Sequence, residues 1–236
     1  MLTHRRTPLV LLAFLLLQFQ VLEAVTYRFL AWDSTMMERK FGLKRGEEIV
    51  EVQNLHHLKR SPPINLPGEV PPVLVALDRK DPEGKPVAIE IKLPAGVESP
   101  LVLIIPDAKH PTGVKPFVIE DNTNRFKWGS IRFMNATSKP VMTKVDNKVA
   151  EVAPGWAPVD VDPQGDVRNM SVVSAYKDNP TQLLYSAVWE HNPDVRELVI
   201  IVPNPNANVA SLDFKVIPEN RKILEMEANE KKEKEQ

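Results

Sequence analysis

A chain of 236 residues is long enough for one large domain or two small ones. Its 30 Lys and Arg against 31 Asp and Glu leave it near neutral, so nothing electrostatic argues for nucleic acid or a strongly acidic partner. The absence of cysteine excludes a disulfide framework, a thiol nucleophile, a thiolate zinc site and a lipidated-cysteine anchor, while 22 prolines against 9 glycines suit short strands joined by rigid turns.

Residues 1–24 read as a signal segment. His4, Arg5 and Arg6 form a basic start, Leu9 through Leu17 are uninterrupted apolar residues, and Ala24 is a small residue before a cut. The apolar stretch is broken by Gln18 and Gln20, short of the ~20 residues of a membrane span. Cleavage and export are the expectation, which places the mature chain in a periplasm, at a cell surface or secreted. An uncleaved anchor or a buried helix is the alternative, and membrane contact is expected only through that segment.

The rest predicts an all-β protein. Its organising stretch occurs twice, as Leu101–Pro106 (Leu-Val-Leu-Ile-Ile-Pro) and Leu198–Pro203 (Leu-Val-Ile-Ile-Val-Pro). Both are short, apolar, largely β-branched runs stopped by proline, as expected of strands buried on both faces. Each is followed by another strand-like run, Phe117-Val118-Ile119-Glu120 and Phe214-Lys215-Val216-Ile217, which the repeat sets Phe117 against Phe214. A second anchor aligns Tyr27-Arg28-Phe29-Leu30-Ala31-Trp32 with Ile131-Arg132-Phe133-Met134-Asn135-Ala136. Between the anchors, the first copy offers strands at 48–52, 73–77 and 87–93, the last with alternating apolar and polar residues, and the second at 141–145, 149–152, 172–176 and 183–189. Met36 to Leu43 reads as a turn or two of helix. Turns are expected at Pro82-Glu83-Gly84-Lys85 and, as a hairpin, at Asp146-Asn147-Lys148.

The expected organisation is a β-sandwich over 25–122, a second over 123–220, each with its own separate core, and a charged disordered tail over 221–236. The boundary falls at Asp121-Asn122-Thr123-Asn124, a polar break with nothing apolar to pack.

The run from Trp128 to Thr137, with Asp146-Asn147-Lys148 and Ala153-Pro154-Gly155, resembles the opening of secreted immunoglobulin-like modules, with Asn147 in place of their hairpin glycine. The whole mature chain is similar to uncharacterised exported verrucomicrobial proteins in which a Trp strand precedes an apolar strand ending in proline. The resemblances imply two tandem immunoglobulin-like antiparallel sandwiches and export, and they carry no activity.

Candidate chemistry is sparse. His56-His57-Leu58-Lys59-Arg60 is the densest polar cluster, readable as part of a metal or anion site and equally as a solvated loop. Asp107 and His110 share the loop after the first apolar strand and are the candidate acid–base pair, without a nucleophile motif beside them. Its counterpart, Asn204 to Asn208, differs, as grafted specificity or drift would leave it. Trp156, in a rigid Pro-Gly turn, either stacks on a sugar or a partner or folds back as a lid, while Trp32, Trp128 and Trp189 read as core. Glu190-His191-Asn192-Pro193 reads as a turn, and Asn135-Ala136-Thr137 and Asn169-Met170-Ser171 match the glycosylation triplet. No cofactor, metal or catalytic set is expected. The reading is a non-enzymatic binding or structural protein of the cell envelope, contacting an envelope protein or polysaccharide through loops or a strand edge. Alternatives are a carbohydrate-binding module using Trp156 and a hydrolase using Asp107 and His110.

Overall fold

The computed structural model describes residues 24–68, 71–204 and 211–234. The signal-segment reading and most of the 204–208 loop therefore lie outside the described residues.

In the first half β1 (Ala24–Ala31) leads through a 3-10 turn (Ser34–Glu38) to β2 (Phe41–Arg45), β3 (Glu48–Glu51), β4 (Ile64–Pro67), β5 (Val73–Lys80), β6 (Pro86–Glu90), β7 (Pro100–Pro106) and β8 (Val114–Glu120). The second half runs β9 (Ile131–Asn135), β10 (Val141–Val145), β11 (Lys148–Val152), β12 (Val159–Val161), β13 (Arg168–Tyr176), β14 (Tyr185–His191), β15 (Val195–Pro203) and β16 (Leu212–Asn220), then helix α1 (Arg221–Lys234). These make four sheets of four strands. Orders β4-β1-β7-β8 and β3-β2-β5-β6 recur in the second half as β12-β9-β15-β16 and β11-β10-β13-β14. The repeat is one of whole topology.

Its register follows the sequence anchors at one point and departs from them at another. β1 lies parallel to β7 with Phe29 opposite Val102, and β9 lies parallel to β15 with Phe133 opposite Val199. The pairing of Phe117 with Phe214, however, is off by one. Val118 faces Val102 and Val216 faces Val199, so Phe117 corresponds to Lys215. The β15–β16 connection holds one residue more than the β7–β8 connection, and a one-residue shift turns each side chain to the opposite face.

Each sandwich has a core of its own, and the burial pattern adds a third that the sequence reading did not include. Within the first sandwich, Phe29 and Ala31 of β1 and Val102 and Ile104 of β7 pack against Leu43 and Leu74 of the facing sheet. Phe133, Val199 and Ile201 do the same against Val141 and Val172 in the second. The alternate residues of the two inner sheets meet in a third core: Leu30, Leu101, Leu103 and Ile119 against Met134, Leu198, Ile200 and Ile217. The protein is thus four β-layers with three apolar seams, and β7, like β15 from Leu198 onward, is apolar because both faces are covered.

Three strands escape sequence reading. β2 overlaps the stretch expected as helix. The Asp33 carboxylate caps the start of a single 3-10 turn, accepting from the Thr35 and Met36 amides at 2.9 and 3.2 Å, and Arg39, already extended, ends it. Gly42 then lets β2 approach β3, since a Cβ there would stand 2.3 Å from the Ile49 side chain. β4 and β12 are too short for periodicity to register. The Asp146-Asn147 hairpin forms as expected between β10 and β11. Asp146 takes φ +50° where the matching turn has Gly46 at +60°, and its carboxylate accepts from the Ser171 amide and from Arg168.

The charged tail expected to lack order is helical over Arg221–Lys234. Asn220 caps it, accepting from the Lys222 amide at 2.9 Å, and Arg221 and Lys222 both pair with Asp194. No helix among the described residues is long and apolar enough to cross a membrane.

Candidate functional site

The segment 121–130 joins the two sandwiches, and its first residue is the hub of the molecule's charged interior. Asp121 is not part of a loose polar break: its carboxylate is 5% exposed. It accepts from Arg60 Nε at 2.8 Å and Nη2 at 2.9 Å, and from Arg196 Nη2 at 3.2 Å. Arg60, read above as the end of a solvated loop, is therefore buried. Glu219 at the end of β16 takes Arg28 Nη1 at 2.5 Å, Arg196 Nε at 2.7 Å and Arg196 Nη2. The cluster crosses from one sandwich to the other at the rim of the shared apolar seam.

Three guanidinium groups share two carboxylates, so this cluster is one negative charge short. Burial and then the charge of neighbouring Arg60 pull Arg196 down, despite its two carboxylate partners. Arg60 is held up, because Asp121 outweighs its own burial. Burial opposes ionisation of Asp121 as well, yet Arg60 and then Arg196 keep it below its ordinary value. Arg60 Nη1 is buried without an acceptor. Aromatic faces cover part of the surplus charge: Arg196 lies 5.1 Å from the Phe126 centroid and 5.0 Å from that of Trp128.

Above the cluster opens a cavity of about 410 Å³, with Arg28, Arg196, Asp121 and Glu219 lining it beside Trp128 and Leu224 of α1. Arg28 is the open member, with its side chain 29% exposed. Trp128 sits in a turn rather than a strand and forms an aromatic wall instead of core. A half-solvated guanidinium, polar donors and one aromatic face can hold an anionic group with an apolar or sugar-like body.

The residues singled out in the sequence lie elsewhere. Trp156, at φ +70°, lies half-buried over the shared seam, 5.7 Å from Trp32 and 5.1 Å from Phe117 between ring centroids. Lys215 approaches Trp32 at 5.2 Å and donates to the carbonyls of Ala31 and Trp32. Burial lowers its ammonium to about 8. Asp107 and His110 share a turn but are engaged separately, Asp107 by the Lys109 amide at 2.9 Å and His110 Nδ1 by Thr112 Oγ1 at 2.7 Å. His56 and His57 stack at 4.8 Å, with His57 against Met37, and no metal-binding group of three is found among the described residues. Asn135 is fully buried, its side chain bonded to Lys139, Val152 and Thr137, so that glycosylation triplet is structural.

Sequence reasoning missed Arg28, Arg60, Asp121, Arg196 and Glu219. An isolated charge beside a strand end looks like any solvated residue, and only the meeting of the two sandwiches gathers them. The nearest signal was the position of Arg28, kept as Arg132 in the second copy, where Arg132 pairs with Asp160. Compared with known proteins, the chain matches no family model and no curated protein sequence.

Proposed function

We propose that this is an exported, non-enzymatic binding protein of the cell envelope, built of two immunoglobulin-like sandwiches and holding the anionic group of a ligand in the junction cavity. The observation that carries the reading is the charge deficit beneath that cavity: three guanidiniums against two carboxylates, with Arg28 at the wall. An arriving carboxylate supplies the missing negative charge, and Trp128 offers a face for the attached ring. An acidic polysaccharide of the envelope fits that chemistry. The enclosure of Trp156 by Trp32 and Phe117 favours the lid over sugar stacking at that ring.

Isothermal titration with trigalacturonate, against neutral maltotriose as control, tests it. The acidic trisaccharide binds, more weakly at higher salt, and Arg28→Ala weakens it tenfold or more. Equal binding of maltotriose, or no effect of Arg28→Ala, rejects it. Export rests on the pattern of residues 1–24, and recovery of a chain beginning at Val25 from the envelope fraction tests that part.

A further inference from the structure

The open end of the second sandwich holds another recess, which shares no lining residue with the junction cavity. It measures about 280 Å³ and lies between the edge strands β14 and β16, walled by Trp189, Glu190, Asn192, Val195, Glu197 and Val216. Glu197 projects from β15 on the side of Val199, toward the second core rather than the shared seam. Its Oε2 is buried and has no hydrogen-bond partner, beside the apolar walls of Val195 and Val216. Where it is ionised, a carboxylate oxygen in that position calls for a cation or a donor that the chain does not supply.

The surroundings select a cation. Of the titratable groups nearby, His191 of β14 lines the hollow beneath Glu197, whereas Glu190 alternates with Trp189 to the exposed outer face of β14. His191 Nε2 is taken by the Gly165 carbonyl at 3.1 Å. The one guanidinium next in sequence, Arg196, is turned to the junction and bound to Asp121 and Glu219. Trp189 presents an indole whose N–H is occupied by the Tyr185 hydroxyl at 2.9 Å, leaving its ring to act as a wall. A carboxylate and an indole around a small recess are the elements of ammonium recognition.

We propose that this recess is a binding site for a primary alkylammonium group, held between the Glu197 carboxylate and the Trp189 ring. The reading is independent of the anionic site at the junction. The competing account is a single water in the hollow of about 10 Å³ beneath, lined by Ser130, His191 and Glu197.

Isothermal titration of the full chain with n-butylammonium chloride at pH 8, with n-butanol as the neutral isostere, separates the two. The expected result is saturable millimolar binding of the ammonium only, accompanied by a shift of one of the four indole N–H resonances. Glu197→Gln weakens binding at least tenfold with an unchanged near-ultraviolet spectrum, and Glu190→Gln, on the outer face, leaves it within about twofold. Should Glu197→Gln fail to fold, the comparison of the two isosteres decides the matter. Absence of saturable binding, equal response to n-butanol, or undiminished affinity in Glu197→Gln overturns the proposal.

Discussion

Single buried polar groups set the finest scale of this protein. Burial raises the Glu197 carboxyl to about 7, well above its ordinary value. A carboxyl raised in the folded state binds its proton more tightly there than in the unfolded chain. Its contribution is therefore complete below the unfolded pKa and is lost as pH rises through about 7. Urea unfolding is expected to show higher stability at pH 5 than at pH 8, by at most about 3 kcal/mol from this group, and Glu197→Gln flattens the difference. An unchanged pH slope in that variant counts against the assignment. Asn135 offers a second case. Its fully buried amide bridges the end of β9 to Lys139, Thr137 and Val152, and Asn135→Ala leaves those backbone groups without partners. The expected loss is about 1–3 kcal/mol for each group so stranded, read as a lowered unfolding midpoint.

Strands carry the next scale, and the two-sided burial of β7 and β15 separates residues by face. Ile119 and Ile217 occupy equivalent places in β8 and β16, both turned into the shared seam. Truncation of either to Ala is expected to destabilise by about 2–5 kcal/mol. Val188, 71% exposed on β14, is expected to tolerate the same change within about 0.5 kcal/mol. Denaturant midpoints for the three variants check the distinction. At this scale much was legible. The apolar runs ending in Pro106 and Pro203 announced fully covered strands, and the hairpin at Asp146-Asn147 formed between the strands expected. Equal spacing from proline sets Phe117 against Phe214 and hides a connection longer by one residue. β2 escapes the sequence because Met36 to Leu43 has no local signal marking where the single turn capped by Asp33 gives way to extended chain.

At the scale of the whole molecule, the shared seam and the charge cluster bind the halves together. Asp121→Ala removes the carboxylate that faces Arg60 and Arg196, leaving buried cations uncompensated, and is expected to cost about 3–5 kcal/mol. Replacing the pair together, Arg60→Met with Asp121→Leu, is expected to cost much less, since no uncompensated charge stays behind. Calorimetry is expected to show one transition for the native chain, and two separated transitions would contradict a common core.

Residue order alone determined the β character, the positions of the buried strands and the doubling of the unit, because burial on a strand is written locally in apolar runs and their proline ends. Tertiary structure alone decided that the two units share a core and that Arg28, Arg60, Asp121, Arg196 and Glu219 converge. Those residues stand far apart along the chain, and a charge carries no mark of its future partner until packing excludes water around both.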